Sequence, residues 1–434
     1  MSNDKPQGAC ASALTSIVGE ENAVCLWENV ELNQQKRIQK AIASGNLPNC
    51  IVYPRTQEQL AAVLATAYKN NWRVLPCGSG SKLSWGGLAK GIDIVVSTER
   101  INQLIEHAVG DLTVTVEAGM KFSDLQALLA NSRQFLALDP TAPKSATIGG
   151  IVATGDTGSL RQRYGSVRDQ LLGITFVRAD GQIAKAGGRV VKNVAGYDLM
   201  KLFTGSYGTL GVISQVTFRL YPLQEASATV VLTGEAEAVS QAADTLRGSG
   251  LTPVQADLLS TKLVSGLGLG KGLGLIARFQ SISESVKEQS NRVLELGQKL
   301  GLDGAIYIDG DEANLWERLQ QQIHSRVEES VITCKIGVLP TAAVKILSEV
   351  ELGLIHISSG LGLLQLEDKD RVLQVRDRTQ AHSGFLTILE APAVVKEQID
   401  VWGYTGNGLT LMRRIQEQFD SKNILSPGRF VGGI

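Results

Sequence analysis

At 434 residues the chain is too long for one hydrophobic core and implies two or three domains. Hydrophobic residues make up 43%, and 42 basic against 43 acidic side chains leave a net charge of −1, which argues against a nucleic-acid surface or a basic membrane face. Five cysteines (Cys10, Cys25, Cys50, Cys77 and Cys334) are widely spaced with no C-x-x-C, so neither a disulfide framework nor a thiolate metal site is expected and a reducing, cytoplasmic setting fits.

In chain order, residues 1–45 read as a lead-in with a short helix at 33–43 closed by Gly45. The apolar stretch 9–18 imitates the core of a secretion signal but lacks a basic flank, so no cleaved leader is expected. No run reaches the about 18 apolar residues that a membrane span needs. A strand at 51–53 precedes a helix at 57–70, where Leu60, Val63, Leu64 and Ala67 recur at helical spacing. A strand at 73–75 runs into a glycine loop at 77–87, and strands follow at 94–96 and 113–116. The helix at 122–131 turns Phe122, Leu125, Leu128 and Leu129 to one side. β-Branched residues mark strands at 171–178 and 212–220, and Pro222 closes this region.

Beyond Pro222 the pattern changes. Strand 228–232, helix 235–247, strands 253–259 and 273–279, helix 284–300 and strand 305–308 give the order βαββαβ. The order recurs as strand 331–338, helix 341–351, strands 354–358 and 361–366, helix 370–381 and strand 385–389. This predicts an α+β chain with two ferredoxin-like units side by side, joined by a helix at 311–325. A last helix at 409–419 leads to a loop at Pro427 and Gly428. The divisions fall at 1–45, 46–225, 226–405 and 406–434.

Four segments carry chemistry. Pro76-Cys77-Gly78-Ser79-Gly80-Ser81-Lys82 follows a strand, and alternating Gly and Ser lets successive N–H groups converge on an anion. A polar turn would read the same way. The spacing is not G-x-G-x-x-G, and the glycine run 266–274 lacks a complete phosphate loop, reading instead as a hairpin connection. Asp139-Pro140-Thr141 and Ser145-Ala146-Thr147-Ile148-Gly149-Gly150-Ile151-Val152-Ala153-Thr154-Gly155 form a long stretch of small residues, suited to backbone lying directly against a flat ligand or to a crowded turn. Arg161-Gln162-Arg163-Tyr164-Gly165-Ser166-Val167-Arg168-Asp169 places three arginines beside it. Val191-Lys192-Asn193-Val194-Ala195-Gly196-Tyr197-Asp198-Leu199 and, further along the same stretch, Gly208-Thr209-Leu210-Gly211-Val212-Ile213 join a short polar helix to a glycine turn and a strand.

Taken in order, P-x-G-x-G-S, D-P-T…A-T-I-G-G, R-x-Y-G-x-V-R-D and K-N-V-A-G-Y-D-L…G-T-L-G-V-I resemble the FAD-binding PCMH-type domain of the vanillyl-alcohol-oxidase flavoproteins, over roughly residues 46–225. The K-N-V-A-G-Y-D spelling and the C-terminal M-R-R-I and P-G-R-F are similar to the FAD-binding E subunit of glycolate oxidase (glycolate dehydrogenase). The resemblance implies a PCMH-type FAD-binding domain of two α/β subdomains, with the duplicated region as its cap. Pro76, Cys77, Gly78, Ser79, Gly80, Ser81 and Lys82 would hold the FAD diphosphate. Thr147, Gly149 and Gly150 would line a second diphosphate loop. Ala153, Gly155 and Gly165 would lie against the flavin end with Val167 nearby, and Val212 and Ile213 would receive the adenine side. Cap strands around His356 and at 385–390 would face the flavin ring.

Relatives that bind FAD covalently use a His in the first loop or a Cys near the second. Neither stands here, so noncovalent FAD is implied and Cys77 reads as a small loop residue. The H-G-x-G-x-x-H-type metal motif of related D-2-hydroxyacid dehydrogenases is missing: His107, His324, His356 and His382 are far apart, so no bound metal is expected. His356 reads as a structural histidine or as an acid/base group. Arg163 or Arg168 is a candidate for a carboxylate contact, and Tyr164 or His356 for proton traffic. Arg413, Arg414 and Arg429 read as structural or subunit-contact residues. The implied function is oxidation of glycolate, a small 2-hydroxy acid, within a hetero-oligomer containing a sister FAD-binding subunit and an iron–sulfur subunit. It would be cytoplasmic, or held at a membrane periphery through those partners. Two alternatives stay open: a noncatalytic relay or assembly subunit, and a stand-alone flavin dehydrogenase of another alcohol or 2-hydroxy acid.

Overall fold

The computed structural model describes residues 7–19, 22–45, 47–189, 196–324 and 331–434. Val191, Lys192, Asn193, Val194 and Ala195 of the fourth motif, and Ser325 at the end of the expected linker helix, lie outside them. The chain divides into two units: Met1–Asp156 with Ser166–Pro222 and Lys396–Ile434, and Thr157–Gly165 with Leu223–Val395. No helix among the described residues is long and apolar enough to cross a membrane.

The first unit is built on two larger sheets and a short antiparallel ribbon that pairs Gln134–Phe135 with Tyr221–Pro222. Strands Cys50–Val52 and Ile94–Ser97 are buried along their whole length, the pattern of a parallel sheet covered on both faces. They pair in parallel with each other, and Val74–Cys77 adds in parallel beside Ile94–Ser97. Val24–Leu26 closes the far edge in antiparallel fashion. Helix Gln57–Asn70 buries Leu60, Val63, Leu64 and Ala67, as its spacing predicts. Thr56 caps it by accepting from the Gln59 N–H, and Asn71 ends it in the left-handed conformation. The apolar stretch at 9–18 is taken up by helix Gln7–Val18, whose Cys10, Leu14 and Val18 enter the core with Leu60 and Val63.

The second sheet of this unit is antiparallel, ordered Leu104–Ala108, Thr113–Glu117, Val212–Arg219, Leu171–Val177 and Ile183–Gly187. Its two edge strands had no signature in the sequence reading, because their side chains are half-buried or exposed and none is fully buried. Helix Phe122–Ala130 packs Phe122, Leu125 and Leu129 on the core, whereas Leu128 stands outside that stripe and is exposed. The C-terminal segment returns to the first sheet. The Val74 N–H donates to the Ile424 carbonyl at 2.7 Å, and the Ser426 N–H to the Val74 carbonyl at 2.9 Å. Helix Leu409–Phe419 is anchored by Phe419, which meets Phe176 and Phe203 at ring separations of 6.0 and 5.6 Å.

The second unit is one eight-stranded antiparallel sheet. Its order is Asp303–Ile308, Ala226–Gly234, Leu273–Ser281, Gln255–Leu259, Leu352–His356, Leu361–Leu366, Ile332–Gly337 and Phe385–Glu390. Each half has the ferredoxin-like strand order, and the second strand of each half pairs with the other at the seam. The helix expected at 341–351 is shorter: a 3-10 turn Pro340–Ala342 runs into Ala343–Leu347, and Val350 then turns inward ahead of strand Leu352–His356. The linking helix, Asp309–His324, buries Leu315, Trp316, Leu319 and Ile323 on the sheet.

Candidate functional site

A cleft opens in the first unit where the two glycine loops meet. Pro76, Cys77, Gly78, Ser79, Gly80, Ser81 and Lys82 line one side, and Thr147, Gly149, Gly150, Ala153 and Thr154 another. Tyr207, Gly208, Gly211, Val212, Ile213 and Arg429 complete the wall. The loops touch: a Cβ on Gly78 would stand 2.0 Å from Thr147 Oγ1, so only glycine lets them approach. Ser79 Oγ donates to the Ser145 carbonyl at 2.5 Å and locks the same contact. On the third wall, Gly208 has φ +75, and a Cβ there would stand 2.8 Å from Pro76 Cγ. The Gly205 and Tyr207 N–H groups donate to the Val152 and Ala153 carbonyls at 2.9 and 2.8 Å, tying that turn to helix Ile148–Thr154.

The donor inventory of the cleft identifies what it can hold. The N–H groups of Gly78, Ser79, Gly80, Ser81 and Lys82 have no protein acceptor among the described residues, and neither has that of Gly150. Five consecutive free amides make a nest for anionic oxygens. Gly149 lines the cleft, but its N–H is spent on the Ala118 carbonyl at 2.7 Å, so of the two glycines Gly150 is the one able to donate. Two buried cations face the same space. Lys82 Nζ has Asp156 at 3.3 Å and makes no hydrogen bond. Arg429 is 3% exposed; one nitrogen donates to the Trp85 carbonyl at 2.7 Å, while Nε and the other terminal nitrogen have no partner. Burial lowers the Arg429 pKa to about 10, which measures how poorly the surrounding protein solvates that charge. Buried donors left this way fit a polyanionic cofactor whose oxygens would satisfy them. Val212 and Ile213 lie ahead of the pairing with Thr113–Glu117, which starts at Gln215, so one edge of that strand is open on the cleft side.

Other sequence-predicted residues fall elsewhere. Gly155 takes φ +60 as the left-handed end of helix Ile148–Thr154, behind the wall. Val167 is fully buried in the hydrophobic core of the first unit and does not line the cleft. Arg168 is exposed on the short helix Val167–Gln170, which Ser166 and Asp169 close with a reciprocal capping box. Cys77 lines the cleft with its thiol pushed up to about 12, first by burial and then by the nearby Glu99.

Arg163, Tyr164 and Gly165 belong to the second unit. Helix Arg161–Tyr164 packs beside strand Gln255–Leu259, with Arg163 exposed and Tyr164 half-buried. Across the seam of that sheet His356 Nδ1 lies 2.5 Å from Asp257 Oδ1. The structure thus gathers Arg163, Tyr164 and His356 in one unit and leaves Arg168 in the other. The sequence reading missed Asp257, a lone carboxylate in an apolar strand, and missed Arg429 as a cleft residue. Its signal was present in the P-G-R-F tail, but nothing local says that the tail folds back on the first loop.

Residues 48–187 match the model of a family described as an FAD binding domain. The chain is 30% identical over 215 residues to the glycolate oxidase subunit GlcD of Bacillus subtilis (strain 168), covering 49% of this chain and 46% of that one. It is 29% identical over 294 residues to the mitochondrial D-lactate dehydrogenase [cytochrome] of Arabidopsis thaliana, covering 65% and 51%. The matches therefore span about half the length of these curated relatives. A solved structure of p-cresol methylhydroxylase with substrate bound superposes with a TM-score of 0.76 at 17% identity, over 97% of this chain and 96% of that one. Residues 48–187 thus match an FAD-binding domain, the chain has the α+β fold of p-cresol methylhydroxylase, and FAD is its cofactor.

Proposed function

We propose that this chain is an FAD-dependent oxidoreductase that oxidises a small 2-hydroxy acid, with glycolate as the leading substrate, and delivers the electrons to an iron–sulfur partner chain. The observation that carries the cofactor half is the row of five free amides at Gly78 to Lys82, facing a cleft with two under-paired buried cations. These groups, with Gly150, would take the diphosphate. Val212 and Ile213 would take the adenine side, and Ala153 the flavin end. The bond is noncovalent in this reading, because the raised pKa of the half-buried Cys77 thiol disfavours a nucleophilic thiolate. The relatives' names, glycolate oxidase and D-lactate dehydrogenase, support the substrate class.

Bound FAD supplies a two-electron acceptor for the hydride that leaves the alcohol carbon. The chain must then bind a carboxylate and remove the hydroxyl proton. Arg163 is the exposed guanidinium suited to the carboxylate, as a bidentate donor. His356 is the group suited to the proton, with Tyr164 close in sequence to Arg163 as the other candidate. The four histidines without metal-ligand spacing favour a second reading, in which the chain relays electrons or supports assembly while a sister flavoprotein oxidises the substrate.

Anaerobic addition of glycolate, or of D-lactate, to the FAD-loaded chain tests both. Bleaching of the flavin band by the chain alone is the expected result. No bleaching alone, with recovery on adding a sister flavoprotein subunit, rejects intrinsic turnover and supports the relay.

A further inference from the structure

Lys82 ends the first glycine loop, and Asp156 follows Gly155, the left-handed end of helix Ile148–Thr154. Both are 6% exposed, and the Lys82 ammonium lies 3.3 Å from Asp156 Oδ2. The two charges are held unequally. The Asp156 N–H donates to the Ile151 carbonyl at 3.1 Å, closing the helix end together with the Gly155 N–H on Val152. Its carboxylate accepts from the Thr141 N–H at 3.0 Å on Oδ2 and from the Thr141 hydroxyl at 2.9 Å on Oδ1. Lys82 Nζ has three protons to give and, among the described residues, no hydrogen-bond acceptor. A fixed carboxylate therefore holds a buried cation by charge alone. Helix Ile148–Thr154 gives the pair its place along the cleft. Thr147 and Ala153 both line it, and at about 1.5 Å per residue they stand roughly 9 Å apart along the helix axis. In the reading above Gly150 and the amide row take the diphosphate, and Ala153 takes the flavin end. The pair lies past Ala153, at the flavin end, and the Lys82 side chain runs there from the amide row.

We propose that the Lys82 ammonium, held by Asp156, raises the reduction potential of the bound flavin, and that the Asp156 carboxylate limits the rise. The proposal rests on the flavin end lying at Ala153. A hydride arriving at the neutral flavin ring carries two electrons and one proton, and leaves one net negative charge on it. Both members of the pair are shielded from water, so their fields reach that charge with little screening. The ammonium stabilises it and the carboxylate opposes it. The balance between them sets how strongly the flavin takes electrons from an alcohol carbon.

Flavin midpoint potentials test this without any substrate of the protein. FAD-saturated native and variant proteins are reduced anaerobically by xanthine and xanthine oxidase against an indicator dye. Lys82→Met should shift the two-electron reduction equilibrium about tenfold toward oxidised flavin, about 30 mV lower in potential. Asp156→Asn should shift it by a similar factor the other way. The amide keeps the carboxylate's shape: its oxygen can replace Oδ2 on the Thr141 N–H, and its NH2 can donate to the Thr141 hydroxyl. Lys82→Arg keeps the charge and should stay near the native value. The double variant, Lys82→Met with Asp156→Asn, strands neither charge, so it serves where a single variant folds poorly. It should show a smaller shift in the direction of Lys82→Met. Single variants that move the potential in the same direction, or a double variant at or above the native value, overturn the proposal. Weaker FAD binding in Lys82→Met with every potential unmoved puts the pair at the diphosphate and overturns it too, while the FAD assignment stands. Opposite shifts uphold it whether or not glycolate reduces the flavin.

Discussion

Arg429 is the residue where cofactor binding and folding pull in opposite directions. Its guanidinium is buried with Nε and one terminal nitrogen unpartnered, and its pKa is lowered to about 10 by that burial. Such a charge is a cost to the apoprotein and becomes favourable when an anion joins it. Arg429→Met should therefore leave the melting temperature of the apoprotein unchanged or raised. It should weaken FAD binding by roughly 10- to 100-fold, the range expected for losing one or two charge-assisted hydrogen bonds. Thermal melts of the apoprotein together with fluorescence titration by FAD check both halves. Lys82 gives the contrast. Its ammonium lies 3.3 Å from Asp156, whose other bonds hold the Thr141 N–H and hydroxyl. Lys82→Met would strand that carboxylate and should lower both stability and affinity. A fall in apoprotein stability with unchanged FAD affinity in the Arg429 variant would assign the arginine to the tail's own packing.

At the scale of elements, helix Asp309–His324 is pinned to the sheet of the second unit by one carboxylate. Glu312 Oε1 accepts from Ser227, Thr229 and Arg278, at 2.9, 2.6 and 3.1 Å. Trp316 Nε1 donates to Thr229 at 2.9 Å, one turn further along. Glu312→Ala removes the acceptor shared by three donors and takes from Arg278 its carboxylate, leaving it only the neutral Ser227, Gln255 and Trp316, so it should destabilise this unit by about 3 kcal/mol. Urea unfolding checks this, and an effect below about 0.5 kcal/mol, the usual limit for a surface change, would contradict it. The position of this helix was legible from periodicity, and so were helices Gln57–Asn70 and Leu409–Phe419, because each puts an apolar stripe on a core. Strands Leu104–Ala108 and Ile183–Gly187 were not legible. They are edge strands whose place is set by the neighbour they pair with, and they bury too little to leave an alternating pattern. The two glycine loops were legible because close backbone approach excludes side chains. Asp257 and Arg429 were not, since each acquires its role from a partner distant in sequence.

For the whole molecule, the cofactor reading requires that segments far apart in the chain respond together. The cleft takes its walls from residues 76–83, from 147–154, from 207–213 and from Arg429 near the C-terminus. They are already joined without ligand, by Ser79 to Ser145, by Tyr207 to Ala153 and by Ser426 to Val74. What remains free is the set of amides from Gly78 to Lys82, whose exchange with solvent no protein acceptor slows. Adding FAD to the apoprotein should therefore slow hydrogen exchange in peptides covering 78–82 most strongly, because ligand oxygens become their first acceptors. Peptides covering 147–154 should respond less, since Gly149 already donates to Ala118 and Gly150 is the amide that gains a partner. Those covering 207–213 and 424–430 should be slowed through the joined walls. Mass-spectrometric exchange with and without FAD reads all four at once. Protection limited to one segment would mean that the ligand sits on a single loop, and the shared pyrophosphate grip would have to be abandoned.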